Sequence, residues 1–378
     1  MWLVTCELQV TTESAALQSA DIAGFGSSSR TTPTYHPRMD APTAESLLAR
    51  AEDASSTATG PNAKASLDRL EGAYDDLIGA LQWFIDQRRT DDALRLANAL
   101  YRFWITKQRF EEGALWFDRA LALDDGDERL RGKASINAGM MPFWLGHDDR
   151  AAELFDHGLE IGRTLGDPPM ISQALGGLAR VALRTDVADG RRLAREALAV
   201  SDEGEDVAGR SNALHLLGVG AQVAGDLPEA RQWMSQRLAL VRGQNNLFLV
   251  ASEASNLSMV ERQLGDLDAA ESLAREALEV GGAIGDRFTT PFVFSGLASI
   301  ASERGELERS ATLVGAAEAL MDAQHMAWPP DERPHYERLL SVLPQSMGSA
   351  DFERARGAGR SMPTSEALDY ALGRSAPS

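Results

Sequence analysis

From about Ala44 to Leu372 apolar residues recur at steps of three and four, the spacing that gathers them on one side of an α-helix. No stretch alternates apolar and polar residues over the length of a strand, and long β-branched runs are absent. The pattern predicts an all-α chain. The first 40 residues differ, being rich in Ser, Thr and Gly without a sustained period. The run from Gly24 through Gly26 to Ser29, then Pro33 and Pro37, predicts a flexible segment.

The helical region repeats itself. Ala224-Gly225-Asp226-Leu227 returns as Leu264-Gly265-Asp266-Leu267 and as Arg304-Gly305-Glu306-Leu307, with a looser copy at Leu145-Gly146-His147-Asp148. Each reads as a tight turn in which glycine ends one helix and an acidic residue opens the next. Three residues later comes a small side chain: Ala151, Ala230, Ala270 or Ser310. Gly113 and Gly190 fill the same slot, and the six positions are 38, 39, 40, 40 and 40 residues apart. Three residues beyond the small position stand Trp116, Leu154, Leu193, Trp233, Leu273 and Leu313; seven beyond stand Ala120, Gly158, Ala197, Arg237, Ala277 and Ala317. Small residues let helix backbones approach, and the large ones fill the adjoining grooves. One helix pair cannot bury its apolar face alone, but a stack of six can.

These columns and turns resemble tetratricopeptide repeats of the longer, 40-residue variety. The flanks are similar to the repeat region of large actinobacterial regulators. The opening is Leu67-Asp68-Arg69-Leu70-Glu71 with Asp75-Asp76-Leu77 and Ala80-Leu81-Gln82-Trp83. The tail is Val314-Gly315-Ala316-Ala317-Glu318-Ala319-Leu320, Phe352, Gly359-Arg360 and Glu366-Ala367-Leu368-Asp369-Tyr370-Ala371-Leu372. Members of that family carry an NB-ARC signal-transduction ATPase and often a LuxR-like, winged-helix or nucleotide-cyclase module. The resemblance implies a right-handed superhelical solenoid of about six hairpins with a C-terminal helical cap. The expected division is a flexible segment 1–42, opening helices 43–90, the array 91–325 and the cap 326–373.

The chain departs from the family in one respect. No G-x-x-x-x-G-K-[ST] occurs, only 66 residues precede Leu67, and the three lysines, Lys64, Lys107 and Lys133, follow no glycine-rich loop. The expectation is a sensor or scaffold part of a transcriptional regulator without its own ATPase and DNA-binding domains. The alternative is a freestanding adaptor that bridges partners or self-associates into a homo-oligomer.

The charge balance narrows the partners. With 37 basic and 56 acidic residues the net charge is −19, which disfavours direct nucleic-acid binding, and the arginines Arg354, Arg356 and Arg360 read as solvated helix charges. There is no apolar tract long enough for a bilayer, and the start lacks the basic flank of a signal peptide, so the reading is cytoplasmic without a membrane partner. Cys6 is the single cysteine. His36, His147, His157, His215, His325 and His335 lack metal-ligand spacing, and Asp124-Asp125-Gly126-Asp127-Glu128 lacks the alternation and closing glutamate of a calcium loop. Gly24-Phe25-Gly26 follows no strand, Gly218-Val219-Gly220 reads as helix packing, and Trp104 and Trp116 read as core. With no G-x-S-x-G and no nucleophile beside a base, neither an enzyme nor a cofactor is expected.

What remains is the groove that the first helices of tetratricopeptide pairs line. Counting back from the small column places Arg95, Asn98, Arg102, Lys133, Met140, Asn212, His215, Ser255, Met259 and Arg262 on it. Polar side chains with adaptable methionines and fixed guanidiniums suit a protein segment or a small polar effector. Arg195 and Arg275 fall on the opposite, second-helix side.

Overall fold

At Gly225, Gly265 and Gly305 the backbone takes φ of 78°, 85° and 79°, left-handed values that a residue without Cβ reaches freely and that end a helix. Asp226 and Asp266 follow, and Oδ1 of each accepts the backbone N–H three residues on at 3.1 Å, which opens the next helix. Where the first pair lacks the glycine, Gln108 adopts the same left-handed conformation at φ 54°.

These turns divide the computed structural model, which describes residues 39–57, 63–286, 289–324, 328 and 333–374. Three opening helices are α1 (Ala41–Ser56), α2 (Ala63–Gly72) and α3 (Tyr74–Asp86). Six pairs follow: α4 (Thr90–Thr106) with α5 (Phe110–Leu121), α6 (Glu128–Trp144) with α7 (Asp148–Leu165), and α8 (Pro168–Thr185) with α9 (Val187–Glu203). The later pairs are α10 (Val207–Val223) with α11 (Leu227–Gly243), α12 (Leu247–Gln263) with α13 (Leu267–Ile284), and α14 (Thr290–Glu303) with α15 (Leu307–Ala323). The C-terminal part is α16 (Arg333–Met347), α17 (Ser349–Ser361) and α18 (Thr364–Ala371). The described residues contain no strand. The expected flexible segment, with Cys6, the Gly24 to Ser29 run and His36, lies outside the described residues up to residue 38. Helix α1 already opens at Ala41, capped by Asp40, whose Oδ1 accepts the Thr43 N–H at 3.0 Å.

The small column is buried at all six positions. A Cβ on Gly113 would stand 2.8 Å from Met141 Sδ and 3.3 Å from Trp104, and one on Gly190 would stand 2.7 Å from Leu183 Cγ. The column is therefore where each second helix crosses its neighbours. The seventh-position column, Arg237 included, is buried too. Trp104 is fully enclosed, donating Nε1–H to Tyr74 Oη at 2.8 Å and lying edge-on to Phe117. The acidic run at Asp124 is an inter-pair turn tied to the start of α4: Arg88 reaches Asp124 at 2.6 Å, and the Asp127 N–H donates to Asp91 at 2.7 Å.

Ala270 makes the column testable. It has no exposed surface, and its carbonyl accepts the Ser258 hydroxyl at 2.7 Å. Ala270→Leu is expected to cost about 1–3 kcal/mol by overpacking. An unchanged urea midpoint would contradict the packing described here.

The two layers of the stack are unequally spaced. At four of the five steps successive first helices lean on each other, α4 on α6, α6 on α8, α8 on α10 and α12 on α14, with α10 and α12 further apart, whereas no two successive second helices approach as closely as those four. A stack bends toward its tighter layer, so the first helices line the inner, concave face.

Candidate functional site

The inner face is built from first-helix residues three or four apart, which stand one above another on a helix. Arg102 of α4, Lys133 and Met140 of α6, and Ser255 and Met259 of α12 all keep access to solvent there. Arg102 and Lys133 have no carboxylate within ion-pair distance among the described residues.

Other expected residues are engaged within the fold. Arg95 donates Nε and Nη2 to the Glu52 carboxylate of α1 at 2.9 and 2.8 Å. Asn98 is buried, giving Nδ2–H to the Leu130 carbonyl at 3.5 Å and accepting Nδ2–H of Asn137 at 2.8 Å. Arg262 pairs with Glu303 at 2.6 Å, its side chain 12% exposed.

His215 is corrected outright: it is 8% exposed and turned into the seam between α10, α11 and α12. The cause is Arg237, which stands where the neighbouring repeats place Ala197 and Ala277. Its guanidinium needs buried acceptors. It pairs with Glu253, and it lies 3.1 Å from His215 Nδ1 and 3.4 Å from Ser211 Oγ. Burial, and then the Arg237 charge, push the His215 pKa down to about 4, so the ring is neutral and Nδ1 accepts from Arg237. Burial is the largest single influence and works to raise the Glu253 carboxyl, but the charge and hydrogen bond of Arg237 together with the contributions of His215 outweigh it and hold the group well below the ordinary range. Glu253 Oε1 is left without a hydrogen-bond partner.

The structure adds residues that sequence reading missed. Arg180 of α8 is half-buried on the inner face, donates Nη2–H to Asn212 Oδ1, and has no carboxylate within ion-pair distance among the described residues. Burial pulls its pKa down to about 10, which leaves it charged at neutral pH. Tyr101 lies near enough for the charges of Arg102 and Arg180 to act on it, while burial raises its phenol. The signal was weak because α8 runs into Asp186 with no glycine turn, so counting back from Gly190 loses register.

The C-terminal end of the face is fastened. Glu318, 4% exposed, accepts Arg356 Nε and Nη2 at 2.9 and 2.8 Å, Arg360 Nη1 at 2.8 Å and the Tyr336 hydroxyl at 2.5 Å. Arg356 and Arg360 are thus structural clamps rather than solvated charges, while Arg354 pairs with Glu308 and Asp351, each at 3.0 Å. Arg275 is no neutral outer residue either, because it donates to Glu271 and to the Leu372 carbonyl, at 2.8 and 2.5 Å. Arg195, 52% exposed and 3.5 Å from Glu229, remains on the open outer side.

Among the described residues no group of three His, Cys, Asp or Glu could hold a metal ion, and no helix is long and apolar enough to cross a membrane. The family described as tetratricopeptide repeat matches residues 250–282, which is α12 with most of α13. Proteins described as HTH-type transcriptional regulators of Mycobacterium tuberculosis and Mycobacterium bovis are 27% identical over 225 residues, covering 55% of this chain. The match spans 24%, about a quarter, of the length of those relatives. Among solved structures, a Signal Transduction ATPase with Numerous Domains from Pyrococcus horikoshii, with a tetratricopeptide repeat sensor, superposes with a TM-score of 0.55 at 13% identity, covering 79% of this chain and 45% of that one. A Rap protein complexed with Competence and Sporulation Factor gives 0.52 at 13% identity, covering 88% and 96%. The chain is thus an all-α solenoid of tetratricopeptide-type helix pairs, and it resembles the repeat region of such transcriptional regulators.

Proposed function

We propose that the inner face is a partner-binding groove and that the chain works as the sensor or scaffold part of a regulator, taking up a protein segment or a small polar effector. One observation carries the reading. On the outer helices Arg150 pairs with Asp118, Arg163 with Glu196 and Arg242 with Glu276. On the inner face Arg102, Lys133 and Arg180 are left without such partners among the described residues, beside adaptable Met140. Charges left unpaired by the fold are available to a ligand. The fold is also one that serves as the sensor in the Pyrococcus protein and that holds Competence and Sporulation Factor in the Rap complex.

The test is affinity capture with the wild-type chain, followed by Arg102→Ala, Met140→Trp and Arg195→Ala. All three are expected to keep the wild-type helical signal. Arg102→Ala should weaken capture of the partner roughly tenfold or more, the loss that follows from removing a charge-assisted hydrogen bond, and Met140→Trp should do as much by obstructing the groove. Arg195→Ala should retain it. If the three variants behave alike, the groove is not the site.

A further inference from the structure

We propose that the cleft between α1 and α2, at the N-terminal end of the stack, binds a small carboxylic acid with an apolar body, its head group taken by Arg50. The site is separate from the inner face, and none of its lining residues belongs to the groove.

The cleft follows from the pattern of α1. Leu47, Ala51 and Ala54 recur at steps of four and three and form one strip of the helix, and Ser46, Arg50 and Asp53 recur in the same way beside it. The first strip, with Leu70 of α2 and Leu77 of α3, is the buried floor. The second is the exposed lip. Alanines cannot fill the angle between the helices, and α1 packs against α3 and α4 more fully than against α2, so a space of about 340 Å3 is left. A polar brace spaces the two helices. Arg69 of α2 donates to Asp53 Oδ2 at 3.1 Å and to Ser66 Oγ at 3.2 Å, and the Thr57 and Ser66 hydroxyls meet at 2.7 Å.

The chemistry of the lip selects the ligand. Asp53 and Arg69 neutralise each other, while Arg50 makes no ion pair or hydrogen bond among the described residues. The remaining carboxylates of α1 are held elsewhere, Glu45 by Arg89 and Glu52 by Arg95, at the start of α4. In a chain of net charge −19 the lip thus carries one unmatched positive charge beside an apolar floor. A guanidinium fork meets a carboxylate in two parallel hydrogen bonds. A bare inorganic anion would leave the floor unused, whereas an apolar body gains by covering it. Size sets that body. A cavity of ~150 Å3 takes up benzene and ligand sites begin at roughly 300 Å3, so about eight carbons fit.

The test is a calorimetric titration of the full chain with octanoate, hexanoate, octanol and octylammonium, each below its micelle concentration. Octanoate is expected to bind at one site, and hexanoate at least about tenfold more weakly, since each buried methylene is worth roughly fourfold. Octanol and octylammonium should bind about tenfold or more weakly than octanoate, the loss of a charge-assisted hydrogen bond. Arg50→Gln should cost octanoate about tenfold while leaving octanol unchanged, a contrast that a damaged fold would not give. Ala73→Phe, at the half-buried turn into α3, should fill the cleft and weaken both ligands. Arg195→Gln on the outer side should change neither. Arg50 is exposed, so its variant keeps the test valid if Ala73→Phe is unstable. Equal binding of octanoate and octanol, wild-type octanoate affinity in Arg50→Gln or in folded Ala73→Phe, or no octanoate binding up to millimolar concentration would overturn the proposal.

Discussion

Arg237→Ala is expected to destabilise the chain by about 3–5 kcal/mol, the cost of leaving one member of a buried ion pair uncompensated. Ordinary substitutions cost about 1 kcal/mol. The variant looks innocuous, since alanine occupies the same column in both adjacent repeats as Ala197 and Ala277. What makes it severe is Glu253, which has no exposed surface and would keep a charge with no cation to pair with it. Glu253→Ala in the same chain removes that charge, and the adjacent repeats carry Ala213 and Val293 at its position. The double variant should therefore be more stable than Arg237→Ala alone, a coupling that a double-mutant cycle in urea reads directly. Strict additivity would contradict the seam described here. The same seam gives an acid response with a definite sign. Folded His215 resists protonation until about pH 4, whereas the unfolded ring takes its proton near 6.5. Between these values the unfolded state binds more protons, so stability falls as pH drops through that window. Glu253, whose folded pKa is depressed, adds its own loss at lower pH, once the medium falls below the ordinary carboxylate range.

Gly315→Val should cost about 3 kcal/mol or more, the upper end of overpacking penalties. Helices α15 and α17 cross with backbones in contact: a Cβ on Gly315 would fall on the Arg356 carbonyl oxygen, and one on Gly359 would fall on that of Thr312. Neither clash can be relieved by turning a side chain, so the helices must separate. Separation also draws Arg356 and Arg360 away from buried Glu318. Limited proteolysis should then cut the C-terminal helices before the array. Gly296, inside α14 with nothing within 4 Å of a built Cβ, is the contrast. Gly296→Ala should be neutral or stabilise by about 0.5–1 kcal/mol, since alanine is the better helix former.

The architecture was legible because its signals are local and repeated. The Gly-Asp turns show the expected left-handed glycine and capping aspartate, and the small column is buried in every pair. Gly315, Glu318, Gly359 and Arg360 stood out in the sequence by family resemblance, and they form one crossing and one clamp. The face was legible only in part, because its register had to be counted from turns. The count leaves Arg102, Lys133, Met140, Ser255 and Met259 with access to solvent, but it also takes in buried Asn98 and His215 and passes over Arg180 in α8. Burial of polar groups was harder still. Nothing near His215 in the chain announces that Arg237 and Glu253, 22 and 38 residues on, will take it out of the groove. Arg275 was misread for a similar reason, since its partner is the Leu372 carbonyl, 97 residues away.

The most direct measurement of the central claim is a calorimetric titration of the captured partner segment into the wild-type chain, Met140→Trp and Arg195→Ala. Met140 is half-buried on the inner face, so a larger ring there obstructs the groove, whereas Arg195 lies on the outer side. The account predicts a dissociation constant raised about tenfold or more for Met140→Trp. For Arg195→Ala it predicts a value within about twofold of wild type, as expected for an exposed residue away from the site. Equal affinities for Met140→Trp and wild type, or a loss confined to Arg195→Ala, would place the partner elsewhere on the solenoid.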